Sequence, residues 1–270
     1  MKEILVVMVT HNSERFIHWG VTPLMNNEDI DLIIVDSGSK NTDYLNDVSI
    51  KADVLFESNI GFVKGNNLAL SHKDIRNYNF VLFLNPDARI DKENIDKLLA
   101  IIKNKDSIYD FYSIPLRAFD INSMTPKDYY DSLGIECNFY GKWQDVRKSY
   151  PQKIINDIDV FCGAFLLIST KSLLTARGSN GEIGFEEKLS MYKEDIELCL
   201  RLKKSGFKGR IIEDLEGYHC RGWDSNRRNV PFWAKYLSAK NDLYISLKYK
   251  LRALPYALAK FLYVNIIERF

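Results

Sequence analysis

The chain has 270 residues, of which 46% are hydrophobic, and its formal net charge is +1 at pH 7. This length accommodates one large domain, alone or with an appendage, and the hydrophobic content is ordinary for a globular protein. No run of 18 apolar residues occurs and the N-terminal apolar run is short, which argues against a transmembrane helix and a signal peptide. The four cysteines form no C-x-x-C pair, and this pattern predicts reduced thiols and a cytoplasmic protein.

The first hundred residues alternate predicted strands with predicted helices. Helices are expected from Ser13 to about 25 and from the N-I-G-F motif to about 72. Strands are expected at 4–10, 32–35, 54–56 and 80–84. Because parallel neighbouring strands need crossover connections, this alternation predicts an α/β fold with a doubly wound, mostly parallel, Rossmann-like sheet.

Each of these strands ends in polar or glycine-rich residues, which read T-H-N, D-S-G-S, N-I-G and N-P-D in chain order. Together they predict one rim of a binding cleft, since open α/β sheets bind ligands at the carboxyl ends of their strands. In the last of them, Pro86 ends the strand because proline cannot donate to a strand ladder. Asp87 then either lies in a solvated turn or binds a ligand. No G-x-G-x-x-G follows the first strand and no G-x-x-x-x-G-K-[ST] occurs, which argues against dinucleotide and P-loop sites.

The second half of the chain is less regular. Residues 105–160 are predicted as a strand-and-loop insertion, and residues 160–168 as a buried strand that contains Gly163. A glycine inside a strand indicates a bulge or the close approach of a ligand, or simply a lack of space. The pattern at 194–204 predicts a helix with Gly206 after its C-terminus. The acidic first turn of this helix either complements the helix dipole or presents Asp195 as a general base.

The C-terminal tail is basic and aromatic. Residues 221–270 contain ten Lys or Arg and three Asp or Glu, whereas the rest of the chain is acidic. The aromatic residues have helical spacing, which argues against a nucleic-acid partner, because stacking proteins present aromatics on sheets or in grooves. Three alternatives remain for 226–270: packing against the domain, a homodimer interface, or contact with a membrane surface.

The order of the motifs resembles one family. The motifs are V-x-V-T-x-N-S, I-V-D-S-G-S, N-I-G-F-V-K-G-N-N, F-L-N-P-D-A, D-S-L-G-I, C-G-A-F-L-L-I, an E-D helix and H-x-x-G-x-x-S. The series resembles the inverting family 2 glycosyltransferases with the GT-A fold. It is most similar to their bacterial rhamnosyltransferase-like branch, which builds surface polysaccharides such as O-antigen and capsule. The resemblance implies a GT-A domain at 1–225, with a nucleotide-sugar-binding half (1–104) and an acceptor half (105–225), followed by a helical tail at 226–270.

The resemblance also implies an activity. An enzyme of this kind moves a sugar, such as rhamnose or galactose, from a UDP- or dTDP-sugar to a hydroxyl of a saccharide or lipid-linked glycan acceptor. Mn²⁺ or Mg²⁺ would stabilise the leaving diphosphate as a Lewis acid. The expected location is the cytoplasm, peripherally on the inner face of the cytoplasmic membrane. The alternatives are a nucleotidyltransferase and a non-catalytic relative that binds sugar nucleotides.

By the same resemblance, Asp195 is the base that deprotonates the acceptor, with Glu194 as the runner-up. The two side chains differ by about 100° around a helix, so only one is expected to face the cleft. Asp87 is the expected metal ligand. His219 is expected to complete the metal site or to contact the diphosphate, and the alternative is a histidine of the core or of a loop. The family's usual D-x-D is N-P-D here, so that Asn85 replaces the first carboxylate.

The remaining expected contacts follow the family's motifs. Asp36 is expected to accept a hydrogen bond from the pyrimidine ring. The nucleotide-sugar-binding set is Thr10, Asn12, Asp36, Ser37, Lys64, Asn66, Asn67, Asn85, Pro86 and Asp87. The acceptor-binding set is Cys162, Gly163, Ala164 and Trp223, and the diphosphate contacts are Arg221, Arg227 and Arg228.

Overall fold

The computed structural model describes residues 2–104, 107–153, 158, 160–221 and 229–269. The helices are α1 (Ile17–Val21), α2 (Phe62–His72), α3 (Lys92–Ile102), α4 (Thr170–Thr175), α5 (Glu194–Lys204), α6 (Phe232–Tyr249) and α7 (Leu254–Ile266). The strands are β1 (Lys2–Thr10), β2 (Ile30–Ser37), β3 (Asp53–Glu57), β4 (Tyr78–Leu84), β5 (Ala88–Ile90), β6 (Phe111–Ser113), β7 (Leu116–Asp120), β8 (Thr125–Ser132), β9 (Ile135–Cys137), β10 (Trp143–Asp145), β11 (Phe165–Ser169), β12 (Gly209–Ile211) and β13 (Gly217–His219).

A seven-stranded sheet forms the centre, in the order β12-β6-β11-β4-β1-β2-β3. Strand β1 pairs in parallel with β2 and β4, and β11 is inserted antiparallel between β4 and β6. Side chains of β1 enter two hydrophobic cores alternately, Leu5 and Val7 on one face and Ile4 and Val6 on the other. Burial on both faces explains why β1 is apolar without interruption. The predicted α/β fold with a mostly parallel sheet is confirmed.

A smaller sheet, in the order β5-β13-β7-β8, lies beside the carboxyl edge of β4. Strand β13 places His219 opposite Ala88 of β5 and Ala118 of β7. Because Asp87 directly precedes β5, this pairing brings it close to His219, which is distant in the chain. The predicted strand-and-loop insertion at 105–160 contains β6 to β10.

Two local predictions differ from the structure. Helix α1 spans only Ile17–Val21, since Pro23 lacks the N–H that would continue the helical hydrogen bonds, and residues 22–26 form turns. Ser13 precedes the helix, and its carbonyl accepts the N–H groups of Phe16 and Ile17. Gly163 lies in the turn before β11 and not within a strand. By contrast, α5 has the predicted limits, and Gly206 follows it with a φ of +89°.

The tail is helical, and α6 packs against the domain. Lys248 Nζ lies 3.3 Å from the Glu186 carboxylate and 3.1 Å from that of Glu197, and both glutamates are fully buried. The Tyr249 hydroxyl also donates to Glu197. Helix α7 packs in turn on α6, with the ring centroids of Tyr236 and Phe261 5.9 Å apart. No helix among the described residues is both long enough and apolar enough to cross a membrane.

Candidate active site

A cleft of about 460 Å³ opens at the carboxyl ends of β1 and β4, beside the N-terminus of α5. Many of the residues singled out from the sequence meet here: Asn12, Asn85, Pro86, Asp87, Cys162, Gly163, Ala164, Glu194, Asp195, His219 and Arg221. Further lining residues are Val9, His11, Ser13, Phe16, Phe62, Met191 and Tyr192. The cleft therefore combines carboxylates, an imidazole and a guanidinium with an apolar wall.

Asp195 and Glu194 both line this cleft, so the expectation that only one of them faces it is wrong. They occupy the first turn of α5, after Lys193 in the left-handed conformation (φ 66°), where side chains extend beyond the end of the helix. The Asp195 carboxylate accepts the N–H of Gly163 at 2.9 Å and that of Ile196 at 2.8 Å. Glu194 Oε2 is buried and has no hydrogen-bond partner within the described part of the chain.

The ionisation of this pair is shifted towards the neutral form. Burial, followed by the negative charge of Asp195, raises the pKa of Glu194. Burial also raises the pKa of Asp195, although the N–H groups of Gly163 and Ile196 oppose the shift by stabilising the carboxylate. Buried carboxyls with raised pKa values accept protons more readily than exposed ones, as a general base requires.

Asp87, His219 and Asp131 form a chain of contacts at the opposite wall. His219 Nε2 lies 3.5 Å from the Asp87 carboxylate, and His219 Nδ1 is 2.7 Å from Asp131 Oδ2. Burial would lower the pKa of His219, but Asp87 and Asp131 outweigh it and raise the pKa to about 9. A carboxylate behind the imidazole fixes the ring orientation and directs Nε2 to the cleft. The motif D-S-L-G-I includes Asp131, but the sequence assigned this residue no role, because its contact with His219 joins segments that are distant in the chain.

Arg221 connects the same wall to a second carboxylate. Its guanidinium donates to Asp131 Oδ1 at 3.0 Å and to Asp145. Arg147 also reaches Asp131, at 3.2 Å. These guanidinium groups and His219 outweigh burial and lower the pKa of Asp131, which therefore stays ionised. The result is a fixed charge network directly behind the cleft.

The ends of β1 and β2 are joined by side-chain hydrogen bonds. Asp36 is buried and accepts hydrogen bonds from the hydroxyls of Thr10, Ser39 and Tyr44 and from the Ser39 N–H. Burial opposes ionisation, but these donors outweigh it and lower the pKa of Asp36. Three of these hydrogen bonds end on Oδ2 and one on Oδ1, so the protein fixes the orientation of this carboxylate. The contact of Asp36 with a pyrimidine stays a prediction.

Neighbouring residues add further hydrogen bonds between the ends of β1 and β2. Asn12, in the left-handed conformation (φ 50°), accepts the Lys40 N–H at 2.9 Å through its side chain. His11 Nδ1 lies 2.8 Å from the Ser37 carbonyl, and Ser37 Oγ accepts the Gly61 N–H. Of this group, His11 and Asn12 line the cleft.

Three residues of the expected nucleotide-sugar set lie elsewhere. Asn66 is buried and donates to the Phe62 carbonyl within α2. The Asn67 side chain makes two hydrogen bonds to the backbone of Phe185. Lys64 lines a separate surface groove. Only the N-terminus of α2, at Phe62, reaches the cleft. Trp223, Arg227 and Arg228 lie outside the described residues.

The loop before α5 is held by the tail. Asn241 of α6 is fully buried, and its amide NH₂ donates to the carbonyls of Leu189, Met191 and Tyr192 at 2.8–2.9 Å. This loop contains three non-glycine residues with positive φ: Ser190, Tyr192 and Lys193. Such backbone is unfavourable unless surrounding contacts maintain it. The sequence contains no signal for this role of Asn241, because the contact joins segments that are distant in the chain.

No protein-family profile matches the chain, and no curated protein matches it in sequence. Solved structures do resemble it. S. aureus TarS 1–349 has a TM-score of 0.56 at 18% identity, and the match covers 99% of this chain and 73% of that one. The same TarS fragment in complex with UDP has a TM-score of 0.53 at 18% identity, covering 99% and 82%.

GalNAc-T7, solved with UDP, GalNAc and Mn²⁺, has a TM-score of 0.63 at 13% identity. The match covers all of this chain and 57% of GalNAc-T7, so the chain spans little more than half of that structure. At these identities the likeness concerns the fold. The chain therefore has the mixed α/β fold of these structures, which is the GT-A type.

Proposed function

We propose that the protein is an inverting glycosyltransferase that moves a sugar from a UDP- or dTDP-sugar to an acceptor hydroxyl. The observation that carries the proposal is the cleft itself. It combines the Asp195–Glu194 pair with Asp87 and His219 at the carboxyl edge of a GT-A sheet. The UDP complexes among the similar structures support a UDP-sugar as the donor.

The donor set suits a hard divalent cation such as Mn²⁺ or Mg²⁺. Asp87 would supply an oxygen. His219 would supply its Nε2 after releasing the proton on that nitrogen, with Nδ1 held by Asp131. Asn85 Oδ1 is buried in the same wall and has no hydrogen-bond partner among the described residues, so its amide oxygen is available as well. The described residues include no group of three His, Cys, Asp or Glu that could hold a metal. We therefore propose that the donor's diphosphate completes the ligand set. When bound, the cation would neutralise the charge that develops on the leaving diphosphate.

The proposed transfer is a single in-line displacement. The acceptor oxygen forms a bond to the anomeric carbon on the face opposite the diphosphate. The bond from that carbon to the diphosphate breaks, and the leaving group takes the electron pair. Asp195 accepts the acceptor's proton, oriented by the Gly163 N–H. Cys162 and Ala164 would line the acceptor side. Burial raises the pKa of the Cys162 thiol, so the thiol stays neutral and does not act as the base.

A donor screen tests the proposal. Purified protein is incubated with UDP-, dTDP- and GDP-sugars, including the rhamnose and galactose donors suggested by the motif resemblance, with and without Mn²⁺ or Mg²⁺. We expect metal-dependent thermal stabilisation and nucleotide release with at least one pyrimidine donor. Release of pyrophosphate from a nucleoside triphosphate and a sugar phosphate would instead identify a nucleotidyltransferase. Absence of both stabilisation and release with every donor would overturn the proposal.

The variant Asp195→Asn separates catalysis from binding. It keeps the shape of the side chain but cannot accept a proton, so donor-induced stabilisation should persist while transfer is lost. Wild-type protein that binds a donor but neither hydrolyses it nor transfers its sugar to any of a panel of saccharide acceptors would favour a non-catalytic binding protein.

A further inference from the structure

Helix α7 exposes apolar side chains along much of its surface. Five apolar side chains are each 47–61% exposed, four of them in α7 and the fifth directly after it. We call them together the α7 face: Leu258, Leu262, Tyr263, Ile266 and Ile267. At about 100° per residue, these five positions cover an arc of roughly 180° around the helix. Exposed apolar surface of this extent is characteristic of an interaction site.

The other side of α7 is occupied by the protein. Ala257 and Val264 are buried, and the Phe261 ring packs on Tyr236 of α6. Lys260, the one charged residue within α7, binds Asp242 of α6 at 2.6 Å. No charge therefore interrupts the α7 face, and α7 is anchored to the domain through α6.

The surroundings of α7 are basic. Asp242 is paired with Lys193 and Lys260, and Glu268 lies 3.6 Å from Lys235, so the acidic side chains of 229–269 are neutralised. Four basic residues have no carboxylate partner in the described part of the protein: Lys240, Lys250, Arg252 and Arg269. The exposed residues Arg252 and Arg269 flank the two ends of α7.

We propose that the α7 face docks the protein on an anionic lipid surface, with α7 lying in the plane of the interface. Apolar side chains would enter the headgroup region while the flanking arginines contact lipid phosphates, which is how interfacial helices bind. A second copy of the chain fits less well. Two paired helices bury only a narrow apolar stripe, whereas the α7 face covers about half of the helix circumference. Pairing two tails would also bring their unneutralised positive charges together. The docking is independent of the reaction proposed above.

Vesicle flotation of the full-length protein tests this inference. The vesicles contain phosphatidylcholine alone, or phosphatidylcholine with about 30% phosphatidylglycerol. We expect flotation with the anionic vesicles, weakened by salt, and little with the neutral ones. Leu262→Glu, at a position 55% exposed, should lower the bound fraction at least about tenfold. Replacing both Arg252 and Arg269 with Ala should weaken binding to anionic vesicles selectively.

Ile108→Glu is the matched control, since Ile108 is 63% exposed and lies outside the tail. Circular dichroism and thermal unfolding should show that both glutamate variants are folded. The inference is overturned if the wild-type protein does not float with anionic vesicles. It is also overturned if Leu262→Glu and Ile108→Glu reduce flotation equally. A dimer in light scattering that Leu262→Glu dissociates, with flotation unchanged, would assign the face to a second copy instead.

Discussion

Gly163 donates its backbone N–H to the Asp195 carboxylate at 2.9 Å, and a Cβ added at Gly163 would lie only 3.0 Å from Asp195 Cβ. The glycine therefore orients the proposed base and leaves room for it at the same time. This contact joins the turn before β11 to the first turn of α5.

Gly163→Ala should consequently displace Asp195. We expect transfer to fall about tenfold or more, because small misplacements of a catalytic group are costly, while donor affinity changes little. Steady-state kinetics with the donor found in the screen would measure this as a fall in kcat. Gly178→Ala is a suitable control, since the added Cβ comes closest to Glu182 Oε2, at the flexible end of a side chain that can move, and lies at ordinary contact distance (3.4 Å) from Glu182 Cβ. Equal kcat values for Gly163→Ala and the wild type would argue against the orienting role.

The two carboxyls of α5 should contribute unequally. Asp195→Asn should lower kcat by about 10² or more, the usual contribution of a general base. Glu194→Gln should have a smaller effect, because Glu194 Oε2 accepts no hydrogen bond within the described structure, whereas both oxygens of Asp195 accept backbone N–H groups. Initial rates of the two variants at a saturating donor concentration would measure the difference. A larger loss in Glu194→Gln would transfer the role of base to Glu194.

Metal use should depend on Asp131, which does not line the cleft. Asp131→Asn keeps the size of the side chain but weakens the support of His219 Nδ1, so the Mn²⁺ concentration for half-maximal activity should rise about 10- to 100-fold. Titration of Mn²⁺ into metal-stripped protein would measure this. Asp128→Asn, at a fully exposed carboxylate, serves as the control. An unchanged titration in Asp131→Asn would contradict the proposed metal position.

Asn241 should couple the tail to the cleft. Asn241→Ala removes the donors of three backbone carbonyls and should lower the free energy of unfolding by about 1–3 kcal/mol. It should also lower kcat more than it raises the donor KM, since the loop that leads into α5 loses its support. Leu247→Ala, at an exposed position of the same helix, should leave both quantities nearly unchanged. Loss of stability with unchanged kcat would limit Asn241 to a structural role.

Acid should loosen the docking of α6 through Glu186. Burial opposes ionisation of this residue, but hydrogen bonds from Ser179, Tyr244 and Lys248 outweigh it and lower its pKa to about 2. Because the pKa is lower in the folded state, the stabilisation is complete above the usual value near 4.5 and is lost as the pH falls towards 2.

The contribution of Glu186 at pH 7 should be about 2–3 kcal/mol. Urea unfolding at several pH values would therefore show Glu186→Gln to be less stable than the wild type at pH 7, with the difference shrinking below about pH 4. A difference that stays constant with pH would contradict this account.

The amino-acid sequence was sufficient to predict the α/β class, the parallel strands and the limits of α5. Of the four strand ends expected to form one rim, those of β1 and β4 line the cleft. These features depend on local patterns: β1 is apolar throughout because both of its faces are buried, and each strand must end where polar residues begin. The motif order also led to Asp87, His219 and Asp195, and the structure places all three at the cleft.

Only the tertiary structure decided which polar side chains bond to distant parts of the protein. Asp36 accepts hydrogen bonds from Thr10, Ser39 and Tyr44, and the Asn67 amide bonds to the Phe185 backbone. Asp131 and Asn241 support the site from behind. Hydrogen bonds between distant segments leave no periodic pattern in the sequence. They depend on where two segments of the chain meet in the fold, and not on the spacing of residues within either segment. The same holds for the tail, where packing on α6 determined which apolar residues of α7 remain exposed.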